Sequence, residues 1–102
     1  MKSLADIRSQ LSNGAFRYSE HAFDRAIVRR ITRGEIIQAS SNAAIIENYP
    51  EDKYGPSCLL LGFTAANRPI HIQVSLADES ETLIITLYEP NLDEWEDYRR
   101  RR

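Results

Sequence analysis

Around residues 40–43 the spacing of the apolar residues changes, and this limits the fold more than any other feature of the chain. Before that point apolar residues return every three or four positions, as on one side of a helix; after it they return every second position, as on one side of a strand. Upstream, Ser3 is suited to cap a short helix carrying Leu4, Ile7 and Leu11, which Asn13-Gly14 ends. Residues 15–18 read as a brief extended connector. Ser19 is a natural cap for a second helix that stops near Arg29, and Thr32-Arg33-Gly34-Glu35 matches a capping box. A third short helix is therefore expected over Arg33–Ser40, burying Ile36 and Ile37.

Downstream, strands are expected at 43–48, 57–64, 70–76 and 82–89, separated by loops rich in Pro, Gly and charge. The second is apolar almost throughout and so central. In the third, Ile70, Ile72, Val74 and Leu76 point one way and His71, Gln73 and Ser75 the other. In the fourth, Leu83, Ile85 and Leu87 share one face, with Thr82, Ile84, Thr86 and Tyr88 on the other. Pro90 ends it, and the segment holding Trp95 and Tyr98 is expected as a last helical turn or a loosely docked tail. Helices followed by a meander imply an α+β fold, with N-terminal helices packed on one face of a roughly four-stranded antiparallel sheet.

A chain of 102 residues, 42% hydrophobic and 27% charged, fits a single globular domain with one core. There is no run of about 18 apolar residues and no secretory h-region, so a cytoplasmic location without membrane partners is expected. Cys58 stands alone, which excludes an intrachain disulfide and a Cys-rich metal site; its apolar strand makes it a small buried hydrophobe. The net charge of −2 argues against a general nucleic-acid coat protein. Charge is uneven, however: Arg17, Arg25, Arg29, Arg30 and Arg33 face only Glu20 and Asp24 in the same stretch.

Wound as a helix, the second helical segment has two sides. Ala22, Phe23, Ala26 and Ile27 form an apolar stripe suited to a sheet, while His21, Arg25 and Arg29 stack at i, i+4 and i+8. Stacked cations repel by roughly 0.2–0.5 kcal/mol per pair, so the ladder calls for an anion. Two sources are open: a carboxylate of the chain (Glu89, Glu47 or Asp24) or a phosphate from outside, which guanidinium forks and first-turn amides both suit. His71 aligns with Gln73 and Ser75, and with Thr86 and Tyr88 if the neighbouring strand is in register, as a hydroxyl-rich sheet surface. The plainer reading makes His21 a hydrogen-bonding residue of its own turn and His71 a partly exposed strand residue. Lys53 and Tyr54 lie in a loop able to touch a substrate or serving only as a turn. No spaced metal-ligand set, Gly-rich phosphate loop or nucleophile elbow occurs, so no cofactor is expected. The remaining His, Arg, Tyr and Glu side chains suit general acid–base catalysis with electrostatic stabilisation.

At these residues the chain resembles a bacterial family, domain-of-unknown-function family 4258. The likeness is carried by Tyr18-Ser19-Glu20-His21-Ala22 with Arg25 and Arg29-Arg30-Ile31-Thr32, by residues 49–59, by Arg68-Pro69-Ile70-His71 and by Ile85-Thr86-Leu87-Tyr88-Glu89-Pro90. It departs at Ala26, where the family often has Met, and at Arg30, where it often has Gly. The resemblance implies a RelE-like (barnase–colicin–RelE type) fold. It also implies a toxin of a type II toxin–antitoxin pair, partnered by an antitoxin of zinc-finger type such as accompanies MqsR-like toxins. His21, Arg25, Arg29, His71 and Tyr88 fall on the family's motif positions.

The expected function is metal-independent RNA endonuclease activity through 2′-OH transesterification. Catalysis is expected from His21, Arg25, His71 and Tyr88, and substrate binding from Arg29, Lys53, Tyr54 and Glu89. The alternative is a non-catalytic protein- or anion-binding domain.

Overall fold

Hydroxyl caps set the helices. The computed structural model describes every residue except Tyr54. In α1 (Leu4–Ser12) Ser3 Oγ accepts the Asp6 N–H, and in α2 (Glu20–Val28) Ser19 Oγ accepts the Ala22 N–H at 3.0 Å. In α3 (Arg33–Ser40) the capping box is complete: Thr32 Oγ1 takes the Glu35 N–H and the Glu35 carboxylate takes the Thr32 N–H. Each cap satisfies an amide that the helix itself leaves orphaned, worth about 0.5–2 kcal/mol.

The C-terminal end of α2 is a Schellman motif. The Arg30 N–H donates to the Ile27 carbonyl and the Ile31 N–H to the Ala26 carbonyl at 2.9 Å. This requires a left-handed residue after the Arg29 cap, and Arg30 takes it with φ of 53°. A preference for Gly at that position has its physical reason here.

The strands β1 (Phe16–Tyr18), β2 (Ala44–Tyr49), β3 (Ser57–Phe63), β4 (Pro69–Ser75) and β5 (Thr82–Tyr88) form one sheet in the order β1-β5-β4-β3-β2. The antiparallel meander from β2 to β5 is as expected, but the sheet is mixed and five-stranded. The presumed connector is β1, lying parallel to β5. Ser19 N–H to the Ile84 carbonyl and Thr82 N–H to the Ala15 carbonyl extend this ladder, so the extended chain leaving α1 satisfies a strand edge otherwise left open.

One face of the sheet carries the helices. Its core includes Ile7, Leu11, Ile36, Leu60, Ile72 and Leu87. Cys58 is buried there as well. At Gly62 α3 rests directly on β3, for a Cβ there would meet the Ala39 carbonyl oxygen at 2.1 Å.

The other face is reached through a correction to β5. Its expected alternation is broken by a bulge at Ile85, because Gln73 pairs with Thr86 while Val74 pairs with Ile84. Ile84 and Leu87 therefore both point into the helical core, and Thr86 and Tyr88 share the opposite face with Leu83. On that face the presumed helical turn or loose tail is a hairpin, β6 (Trp95–Glu96) with β7 (Arg100–Arg101). Asp97 and Tyr98 make its tight turn, both at positive φ. The hairpin brings Trp95 against His71 and Tyr98 against Phe63. Among the described residues no helix is long and apolar enough to cross a membrane.

Candidate functional site

β1 covers only Thr82–Ile84 of β5, and α2 takes over the edge beyond it. Ser19 Oγ donates to the Ile85 carbonyl at 2.9 Å and Arg29 Nη1 to the Leu87 carbonyl at 2.8 Å. Two backbone acceptors that a sixth strand would have used are thus satisfied by the helix. Contact with the sheet is made through the two alanines, Ala22 and Ala26, which are buried; Phe23 and Ile27 stay 54% and 63% exposed. The expected apolar stripe is therefore only half covered, since α2 flanks the sheet edge and turns its narrow side inward.

This placement sets the two ends of the His21–Arg25–Arg29 ladder beside two separate hollows. His21, with Ser19, Glu20 and Asp24, lines a hollow of about 780 Å³ whose other walls are Gln73, Leu83, Ile85 and Thr86. Two turns further on, Arg29 lines a second hollow of about 520 Å³ with Tyr88, Trp95 and Arg101. Arg25 sits one helical turn from each. Gln73 and Arg101 also line a third hollow, beside Tyr49 and Asp52.

Arg25 makes no ion pair or side-chain hydrogen bond among the described residues. Arg29 has its guanidinium 5.8 Å from the centre of the Tyr88 ring. Glu89, open to either role in the sequence, holds Arg68: its carboxylate accepts from Arg68 Nε at 2.6 Å. Arg68 also pairs with Glu35 at 3.1 Å and donates to the Arg29 and Arg30 carbonyls, tying the ends of α2 and β5 to the start of α3. The Glu89 hydrogen bond, then that of Glu35, raises its already high pKa.

His71 lies on the expected side with Gln73 and faces Tyr88 in register, but it is no surface residue. It is fully buried, because the hairpin covers it and Trp95 packs edge-on at 4.5 Å. Nε2 is 2.7 Å from the Tyr98 carbonyl and Nδ1 is 3.2 Å from the Tyr88 hydroxyl. A carbonyl can only accept, so Nε2 carries the proton and Nδ1 receives the Tyr88 O–H. Burial lowers the His71 pKa against the opposing pull of that carbonyl and keeps the ring neutral. Tyr88, half-buried, has its phenol pKa raised by the same desolvation.

A cluster that sequence reasoning missed stands next to this pair. Glu47 accepts a short hydrogen bond from Tyr49 and one from Arg101 Nε at 3.0 Å. Burial pushes the Glu47 carboxyl up, yet these two donors outweigh it and the net shift is downward. Tyr49 is pushed up to about 12 by burial and by its acceptor. Arg101 lies over the Trp95 ring at 4.6 Å and so locks the hairpin down. The only signal in the sequence is an aromatic and an arginine at paired hairpin positions; their partner is far away along the chain. Lys53 is exposed in the connection between β2 and β3, and Tyr54 lies outside the described residues.

The structure thus brings His21, Arg29 and Tyr88 to open hollows with Arg25 between them, and sets His71 behind Tyr88. No curated protein and no solved structure matches the chain significantly. Residues 18–89, which contain the whole ladder, His71 and Tyr88, match the family model described as Domain of unknown function (DUF4258), and the chain belongs to that family.

Proposed function

We propose that this protein is a metal-independent endoribonuclease with RelE-like architecture. In this reading it is a cytoplasmic toxin of a bacterial type II pair, held in check by a cognate antitoxin of zinc-finger type. The observation that carries the reading is the Tyr88 phenol, hydrogen-bonded to a buried imidazole and lining one hollow with Arg29, one helical turn from Arg25, unpaired among the described residues. Arg25 and Arg29 grip the scissile phosphate and stabilise the charge that grows on its non-bridging oxygens. The RNA 2′-oxygen attacks phosphorus while its proton passes to Tyr88 Oη and the Tyr88 proton passes to His71 Nδ1. His21 gives a proton to the departing 5′-oxygen. The products are a 2′,3′-cyclic phosphate and a 5′-hydroxyl. Glu89 supports the site by holding Arg68, and Lys53 and Tyr54 are kept as substrate contacts.

Incubation of the purified protein with single-stranded RNA in excess chelator tests this. Cyclic-phosphate ends should appear, and His21→Ala and Tyr88→Phe should each slow their formation by about 10²-fold or more. Absence of cleavage, or cleavage indifferent to both changes, overturns the proposal. The burial of His71 favours a second reading, a non-catalytic anion-binding domain, which would bind RNA through Arg25 and Arg29 and leave it intact.

A further inference from the structure

The flank of α2 that carries Phe23 and Ile27 is turned away from Arg25 and has no use in this chemistry; Glu20, at its start, also lines the His21 hollow. At about 100° per residue, Phe23 and Ile27 lie roughly opposite Arg25 on the helix, and Glu20 falls on the same side as Ile27. Arg30, just past the cap, lines a hollow of about 280 Å³ with Phe23, Ile27 and Tyr18. Glu20, Phe23, Ile27 and Arg30 therefore make a strip at spacings of three, four and three, acidic at one end and basic at the other. Neither the Glu20 carboxylate nor the Arg30 guanidinium has a partner among the described residues. Asp24 and Val28 lie on the solvent side of this strip.

Such a strip is its own complement when reversed. We propose that α2 packs antiparallel against α2 of a second copy of this chain, about a two-fold axis near Arg25. Phe23 of each copy then meets Ile27 of the other, next to the hollow beside Arg30. Glu20 of each copy pairs with Arg30 of the other, and the two Arg25 side chains point away from the axis. A two-fold contact needs one patch that matches itself, and this strip does so in both apolar and charged positions. Burial of Phe23 and Ile27 supplies the attraction; the charge pairs select the antiparallel direction over the parallel one, which would set Glu20 against Glu20. The patch is small for a stable interface, so the dimer forms in a concentration-dependent way. The inference stands apart from the nuclease reading, since Phe23, Ile27 and Arg30 line neither the His21 hollow nor the Arg29–Tyr88 hollow, and its readout is association without RNA.

Sedimentation velocity on the full chain, from low to high micromolar concentration, reads the association without RNA. The wild type is expected to shift towards dimer, and Ile27→Asp to remain monomeric. Glu20→Arg and Arg30→Glu should each weaken association, and the double change should restore it, because both pairs are rebuilt with reversed sign. Circular dichroism confirms folding, and the changed residues are exposed. A wild type monomeric throughout, a dimer that survives Ile27→Asp, or a double variant no better than the singles overturns the proposal.

Discussion

The Tyr88 hydroxyl donates to Nδ1 of His71 at 3.2 Å, across two strands that pair these residues directly. The Tyr98 carbonyl on the far nitrogen leaves the imidazole no other tautomer. Tyr88→Phe keeps the ring and strands a buried acceptor. It should cost about 1–3 kcal/mol by urea denaturation, in addition to its effect on RNA.

The same pair sets a pH dependence. The folded-state pKa of His71 lies below its ordinary value because the ring is buried. Below about pH 6.5 the unfolded chain takes up a proton that the native state refuses. Stability is therefore full above that pH and falls as acid is added, until the folded-state value is passed. Melting curves between pH 7.5 and 5.5 should show this decline. His71→Asn should be less stable at neutral pH and much flatter across the range.

Trp95 is what shuts His71 away from solvent. Trp95→Ala should destabilise the protein by about 3–5 kcal/mol and open the ring to reagents. With diethyl pyrocarbonate, mass spectrometry should find His21 modified in the wild type and both histidines modified in the variant.

Arg30 occupies a left-handed conformation that costs a side chain about 1–2 kcal/mol. Arg30→Gly relieves this, less the extra entropy of an unfolded glycine. Its expected effect at low protein concentration is a gain of about 0.5–1 kcal/mol in denaturant titration.

Gly62→Ala would push a methyl group into the Ala39 carbonyl. As both atoms belong to backbone-fixed positions, α3 must lift off β3, at a cost of about 3 kcal/mol or more. The expected sign is a lowered midpoint in thermal or urea unfolding.

What could be read in the sequence was what neighbours in sequence decide. Ser3, Ser19 and Thr32 act on amides three residues away, so the helix starts were legible, as was the meander whose turns carry their own residues. β1 was hidden because three residues become a strand only when β5 lies beside them. Glu47 and Arg101 had no common signature, since a fold is needed to bring them together. The alternation of β4 puts His71 on the right face but says nothing of its burial, because its cover comes from a hairpin beyond the expected last strand.

The extra residue at Ile85 has a consequence of its own. Up to that point β5 obeys one odd–even rule, and after it the opposite rule, much as an inserted letter shifts a reading frame. Were β5 to pair in plain alternation with no residue bulged out, Leu87 would turn out to water and the Tyr88 phenol would be driven into the hydrocarbon beneath the helices, so the chemistry on one side of the sheet hangs on a single extra residue in the strand.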